Sequence, residues 1–94
     1  MSGSGVLVEV FDISGRGTVV VLEEFEGHAT TGDFLHLGST SYEIVGTEIV
    51  SFRDVEAAER NARLRRFGFL VYGCTKEQLE AHKGRRLRIE SAKP

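Results

Sequence analysis

Short runs of β-branched and aromatic residues, separated by glycine-containing turns, limit most strongly what this chain can fold into. Six such runs recur at intervals of roughly ten residues, which is the spacing of strands in small sandwiches and barrels. They are Val6–Ile13, Thr18–Phe25, Phe34–Leu37, Tyr42–Val50, Phe67–Gly73 and Arg85–Glu90. Because these runs do not alternate with long helical segments, a parallel sheet is not expected. The pattern predicts an all-β fold, either a small closed antiparallel barrel or a sandwich.

Two segments depart from the strand pattern. Thr75–Gln78 has the form of a capping box, and Gly84 stands where a helix would end, so we predict one short helix near residues 76–83. Residues 52–66 lack glycine and proline and carry acid-first charge pairs four residues apart, such as Glu56 with Arg60. Because the apolar face of this segment is thin, we predict a helical turn or a loop there.

A chain of 94 residues is typical of one domain. The Gly/Ser-rich residues 1–5 predict a disordered tail, residues 6–91 the folded domain, and residues 92–94 a C-terminal tail. No apolar run approaches the roughly 20 residues that a membrane span requires, and the first residues do not resemble a signal peptide. The single cysteine, Cys74, excludes an intramolecular disulfide and fits a reducing compartment. We therefore expect a cytoplasmic protein with no membrane partner.

Charge is distributed unevenly along the chain, although the net charge is only −2. Residues 1–58 contain ten acidic and two basic side chains, whereas residues 59–94 contain ten basic and four acidic ones. The sequence pI of 5.9 argues against nonspecific duplex binding, for which a pI above about 9 is typical. Two interpretations stay open: a one-sided basic patch, or arginines that pair with the acidic half of the same domain.

The side chains that carry most enzyme and metal chemistry are scattered. His28, His36 and His82 show no helical spacing to one another, and a metal site needs three or four convergent ligands. No base partner can be assigned to a serine nucleophile. We therefore expect no enzymatic activity, no cofactor and no metal.

Four phenylalanines lie in or beside the strand segments. They are Phe11, Phe34, Phe67 and Phe69. Aromatic rings at alternating strand positions are typical of a core, so we interpret them as core residues. The alternative is that exposed rings stack on nucleic-acid bases.

The stretch Val10–Val20 carries the most specific motif of the chain, Val-Phe-Asp-Ile-Ser-Gly-Arg-Gly-Thr-Val-Val. It strongly resembles the opening of domain II of the translation GTPases, a group that includes elongation factor Tu, which reads Val-Phe-x-Ile-x-Gly-Arg-Gly-Thr-Val-Val. Five landmarks follow in the family's order, so that the resemblance extends from Leu7 to Ile89. They are Gly27, Gly32-Asp33, Gly46–Glu48, Gly68–Gly73 and Lys76–Gly84.

The sequence departs from that family at several points. Leu22 stands where the family has a glycine, and Arg63–Arg66 replace an Ala-Gly-acidic segment. The phosphate-binding motif Gly-x-x-x-x-Gly-Lys does not occur. The resemblance therefore implies a stand-alone domain II, a small closed antiparallel β-barrel, without a GTPase domain.

In the family, domain II binds RNA, either the aminoacylated 3′ end of tRNA or ribosomal RNA. By position, the resemblance implies five candidate RNA-binding residues, which are Arg16, Glu48, Arg63, Arg65 and Arg66. Glu48 matches a carboxylate that packs beside the terminal adenosine, and a carboxylate can accept hydrogen bonds from a ribose 2′-OH. Arg65 and Arg66 take family positions at the edge of that pocket, where they would bind phosphate by charge.

Each candidate residue also has a plain structural interpretation. Arg16 would brace the turn between the first two strands, and Glu48 would be an ordinary outward strand residue. Arg65 and Arg66 would belong to an exposed, partly self-paired loop.

The sequence thus predicts a non-catalytic binding module that contacts tRNA, ribosomal RNA or a translation-related protein. The alternative is an adaptor that docks on a partner protein without RNA contact. The acidic first half and the altered pocket residues favour that alternative.

Overall fold

Six antiparallel strands and one short helix make up the computed structural model, which describes residues 2–13, 15–48, 62–63 and 65–91. The elements are β1 (Ser2–Ile13), β2 (Gly17–Gly27), β3 (Phe34–Leu37), β4 (Thr40–Glu48), β5 (Phe67–Val71), α1 (Lys76–Glu80) and β6 (Arg86–Glu90). The strands follow the order β1-β2-β5-β4-β3-β6, and β6 pairs with β1 to close the barrel. The predicted all-β fold is confirmed, and it is a closed barrel rather than a sandwich.

Aliphatic side chains fill the barrel interior, because alternate residues of each strand point inward. Leu7, Val20, Ile44, Val71 and Ile89 are fully buried and belong to one core cluster. Burial of a side chain of this size stabilises the folded state by about 1.5–3 kcal/mol. The interior therefore accounts for the closure of a barrel built from so short a chain.

The N-terminal segment is part of the barrel, so the prediction of a disordered tail over residues 1–5 is wrong from the second residue onward. Residues 2–6 pair with β6, and the ladder between β1 and β2 begins at Gly3. Gly3 and Gly5 are buried, and a Cβ built on Gly3 would lie 2.6 Å from the Phe25 ring. A Gly/Ser-rich composition is typical of a flexible linker. Here the glycines instead allow two strands to approach each other closely.

Helix α1 forms where the sequence predicts it and ends at Glu80. The Gln78 backbone N–H donates to the Thr75 hydroxyl at 3.2 Å, and the Thr75 backbone N–H donates to the Gln78 side chain at 2.9 Å. Leu79 is fully buried in the core cluster. The Gly84 backbone N–H donates to the Leu7 carbonyl at 2.8 Å, which fixes the segment after the helix to β1.

Only part of the predicted helical turn or loop over residues 52–66 falls within the described residues. Ala62 and Arg63 are helical, and the Arg65 backbone N–H donates to the Ala62 carbonyl at 3.2 Å. Arg65 then adopts a left-handed conformation with φ of 52°. Residues 52–61 and 64, like the predicted tail at 92–94, lie outside the described residues.

Candidate nucleic-acid interface

An apolar cluster lies on the outside of the barrel, across β1, β2 and β5. Val20 and Val71 belong to the interior core, so their neighbours Val19 and Leu70 face outward. Strand register places Phe11 beside Val19, and Val19 beside Leu70. We call this cluster the outer apolar face, and it consists of Val8, Phe11, Ile13, Val19, Val21 and Leu70. Val19, Val21 and Leu70 are themselves buried, and Phe11 is the most exposed member. The cluster is separate from the core that holds the barrel together.

Exposure divides the phenylalanines that the sequence predicts to be core residues. Phe69 is buried, but Phe11 is 47% exposed on the outer apolar face, so the core prediction is wrong for Phe11. Phe67 is 50% exposed as well, although its ring packs edge-on against Phe25 with centroids 5.5 Å apart. Phe11 is therefore a half-exposed aromatic ring on the outside of the barrel.

An open cleft of about 470 Å³ lies at one end of the outer apolar face, and we call it the turn cleft. Its walls are the turn between β1 and β2, the end of β5 and the start of α1. Tyr72 is 68% exposed and lines it together with Ile13 and Gly17. Arg16 and Lys76 line it as well. An exposed ring and two cations thus share one concave surface.

Local backbone geometry shapes the turn that carries Arg16. Gly17 has φ of 138°, and a Cβ at this position would lie 2.6 Å from the Val71 carbonyl oxygen. Only glycine therefore lets β2 begin against β5 here. The Arg16 backbone N–H donates to the Ile13 carbonyl at 3.0 Å, which closes the turn.

The Arg16 side chain is not held by the turn. Arg16 is exposed, and its guanidinium forms neither a hydrogen bond nor an ion pair with any of the residues described. The bracing role is not what the structure shows; Arg16 stays a candidate ligand contact.

A buried hydrogen bond ties the turn cleft to the barrel. Thr18 is buried, and its hydroxyl donates to the Cys74 carbonyl at 2.9 Å, with the Asp12 carboxylate 3.3 Å away. This contact joins the start of β2 to the segment that leads into α1. The Cys74 thiol is free and buried, and desolvation raises its pKa above the ordinary value. A thiol in that state is a poor nucleophile.

Arg66 is engaged within the domain rather than open to a ligand. Its Nε and Nη2 atoms both lie on the same Glu23 carboxylate oxygen, at 2.9 and 2.8 Å. The self-paired interpretation is therefore confirmed for Arg66. Arg63 and Arg65 are exposed, and the Arg65 carbonyl accepts a hydrogen bond from the Phe25 backbone N–H at 3.2 Å.

The five candidate residues from the sequence do not converge on one site. Arg16 precedes the first residue of β2, whereas Arg65 and Arg66 contact the other half of that strand. Glu48 ends β4, and its backbone pairs with Gly68 of β5. Among them, only Arg16 lines the turn cleft.

Several other basic residues also pair with acidic ones. Arg86 contacts Glu24 at 3.4 Å and Glu26 at 3.9 Å, and Arg88 contacts Glu90 at 3.3 Å. Arg86 and Arg66 thereby join the basic half of the chain to the acidic half. Of the two interpretations of the charge asymmetry, intramolecular pairing is the one observed for these residues.

Sequence reasoning did not single out Lys76 or Tyr72 as candidate site residues. Tyr72 follows a strand in which Leu70 faces outward, so alternation already placed its ring on the outer side. Nothing in the local sequence indicates that Lys76 and Arg16 line the same cleft, because the start of α1 and the first turn are brought together only by the tertiary structure.

Comparisons with known proteins identified no relative of this chain. No protein-family model matches the chain, and neither a curated protein nor a solved structure does. Within the described ranges, no group of three or more His, Cys, Asp and Glu side chains is placed to hold a metal ion. No helix in that same part of the chain has the length and apolarity to cross a membrane.

Proposed function

We propose that this chain is a non-catalytic, cytoplasmic RNA-binding module that resembles domain II of the translation GTPases and binds a single-stranded end of tRNA or ribosomal RNA. The observation that carries the proposal is the exposed Phe11 ring at the edge of the otherwise mostly buried outer apolar face. It lies on the strands that bear the family-like motif over Val10–Val20. The Phe11 ring belongs neither to the buried core nor to the buried part of the outer apolar face, so it is accessible to a ligand.

Stacking is the physical basis of the proposed binding. Unpaired bases stack on aromatic side chains, and each such contact contributes about 1–3 kcal/mol without depending on which base is present. Val19 and Leu70 pack beneath this region and are themselves buried, so the Phe11 ring is the part of it that a base can stack on. Bases inside a duplex do not offer their faces, so the surface favours single-stranded ends and loops.

Charge contributes little to the proposed binding. The net charge is −2, and Arg66, Arg86 and Arg88 are all engaged with carboxylates. For single-stranded nucleic acid, the logarithm of the binding constant falls with the logarithm of salt concentration by about 0.7 per phosphate neutralised. With only one or two cations in contact, the expected slope is about −0.7 to −1.4. A steep salt dependence would contradict this mode of binding.

The test is a fluorescence anisotropy titration of a labelled tRNA, a single-stranded RNA and a matched RNA duplex over a salt series. Phe11→Ala is expected to weaken single-strand binding about tenfold. Phe67→Ala is the matched control, because Phe67 is equally exposed but lies outside the outer apolar face. The proposal fails if no RNA binds more tightly than tens of micromolar at low salt, or if both variants lose affinity equally.

A second candidate function is a protein adaptor, which docks on a partner protein without RNA contact. The ion pairs of Arg66 and Arg86 favour it, because they remove cations that an RNA backbone would use. Affinity capture from a lysate, with and without ribonuclease, discriminates the two. One stoichiometric protein retained after ribonuclease treatment supports the adaptor, whereas loss of ribosomal proteins and RNA supports the first candidate.

A further inference from the structure

The turn cleft offers three things that a nucleotide requires: a ring for its base, cations for its phosphate, and sufficient space. Tyr72 is exposed over two thirds of its surface. Neither Arg16 nor Lys76 forms an ion pair within the part of the chain that the structure describes. The cleft volume of about 470 Å³ falls in the range of small-ligand sites.

We propose that the turn cleft is a mononucleotide subsite, in which a nucleobase stacks on Tyr72 while its phosphate binds Arg16 and Lys76. This inference rests on the proposed function and deepens it, since it places one nucleotide of the bound strand at a named position. Tyr72 stands where the resembling family carries an arginine in its Leu-Leu-Leu-Arg-Gly strand. The subsite is thus a property of this chain's own residues.

The acidic residues of the cleft set the number of phosphates that it accepts. Asp12 and Glu77 line it beside the two cations, so the four formal charges cancel. The Asp12 carboxylate lies 3.3 Å from the Thr18 hydroxyl at the wall of the cleft. A ligand with one phosphate brings less negative charge to these carboxylates than a chain of phosphates does. We therefore expect the subsite to prefer a monophosphate to a triphosphate.

The test of this subsite is an NMR titration that follows the backbone amide signals of the isotope-labelled chain. The probes are adenosine 5′-monophosphate, adenosine, adenosine 5′-triphosphate and inorganic phosphate, together with a hexamer of adenosine nucleotides. The monophosphate is expected to shift the signals of Gly15, Gly17 and Tyr72 and to bind more tightly than the other three small probes. The hexamer is expected to shift the same signals together with those of the outer apolar face.

Variants separate the base contact from the phosphate contact. Tyr72→Ala is expected to weaken monophosphate binding about tenfold, and Tyr72→Phe, which keeps the ring, to retain it. Arg16→Gln and Lys76→Gln are expected to abolish the preference for the monophosphate over adenosine. Arg88→Gln is the control, because Arg88 lies outside the turn cleft and pairs with Glu90.

The outcomes distinguish this inference from the proposed function. If the hexamer binds but the monophosphate leaves the cleft signals unmoved and Tyr72→Ala changes nothing, the subsite is overturned while RNA binding stands. If the monophosphate binds at the cleft but the hexamer and tRNA do not, the subsite stands for a free mononucleotide and the RNA function is overturned. If inorganic phosphate binds as well as the monophosphate, or if no probe shifts the cleft signals, the subsite is overturned.

Discussion

Two open clefts of nearly equal size lie at the two ends of β2, and they differ in what their cations contact. The turn cleft measures about 470 Å³, and the second, which we call the arginine cleft, about 490 Å³. The arginine cleft is lined by Ser2, Gly3, Ser4, Glu26, Gly27, Arg86, Arg88 and Glu90. Its two arginines form ion pairs with carboxylates, whereas the side chains of Arg16 and Lys76 in the turn cleft form no hydrogen bond or ion pair with the described residues.

Neither the volume of a cleft nor the presence of arginine in its lining is enough to identify a binding surface. In the arginine cleft, Arg86 also contacts the Ser4 hydroxyl at 3.2 Å and the Glu24 carbonyl at 3.5 Å, so it joins β6 to β1 and β2. A ligand phosphate there would have to displace those contacts. In the turn cleft the side chains of Arg16 and Lys76 form no ion pair with the described residues that a phosphate would have to displace. We therefore assign a structural role to the arginine-cleft end of the barrel and place the proposed subsite at the other end.

Gly3→Ala, at the arginine-cleft end of the barrel, should reduce the free energy of unfolding more than any other substitution named below. The added Cβ would lie 2.6 Å from the Phe25 ring and 2.8 Å from the His28 carbonyl oxygen, so the folded state should lose about 2 kcal/mol of its free energy of unfolding. Urea denaturation measures this loss. Gly46→Ala is the control, because its Cβ would sit at an ordinary 3.6 Å from Leu70. Equal stability of the two variants would contradict the role given to Gly3.

Thr18→Val should loosen the wall of the turn cleft. The substitution removes the hydroxyl that donates to the Cys74 carbonyl inside a buried site, which should cost about 1–2 kcal/mol of unfolding free energy. Thr18→Ser keeps the hydroxyl and should retain the larger part of the stability. The midpoints of urea denaturation report both. A Val variant as stable as the parent chain would show that the hydrogen bond does not hold this wall.

Arg86→Ala and Arg16→Ala test whether the arginines of the two clefts differ in their contribution to stability. Arg86 is partly exposed, so its loss should lower the free energy of unfolding by about 0.5–1 kcal/mol. Arg16→Ala should leave stability within about 0.3 kcal/mol, because its guanidinium contacts none of the described residues. The two denaturation curves, recorded at low and high salt, provide the measurement. If Arg16→Ala were the more destabilising change, the assignment of the two ends would be reversed.

The smallest effect concerns the pH dependence of stability at the turn-cleft end. Burial raises the pKa of the Cys74 thiol, so the folded state keeps its proton at a pH where the unfolded state has lost it. The contribution is fully present below the ordinary thiol pKa, and it is lost as pH rises from that value through the higher pKa of the folded state. Stability of the parent chain should therefore fall more steeply above about pH 9 than that of Cys74→Ala. Identical slopes between pH 7 and 10 would contradict a buried, protonated thiol.

The strand segments and the helix were predictable because their signals are local. β-branched runs, glycine turns and the Thr75–Gln78 capping box act over a few residues, and the observed elements follow them closely. The prediction of a disordered tail at the N-terminus was wrong, because the Gly/Ser composition of that segment is typical of a linker. Whether Gly3 is mobile or pressed against Phe25 depends on a partner more than 20 residues away.

The candidate site was less predictable, because it also depends on contacts between residues that are distant in the chain. The resemblance pointed to Arg16 and Arg66 equally, and both carry the same charge in a turn or loop. The structure separates them, because Glu23 holds Arg66 whereas no described residue holds Arg16. The grouping of Tyr72 with Arg16 and Lys76 required the end of β5 and the start of α1 to meet the first turn.

By itself, the sequence determined that this protein is built from short strands that curl around an aliphatic core, because residue alternation and glycine position act within a strand. Only the tertiary structure decided which cations are neutralised and which rings remain outside. Those properties depend on the register between strands distant in the chain, where a side chain either meets an opposite charge or an apolar neighbour, or meets water.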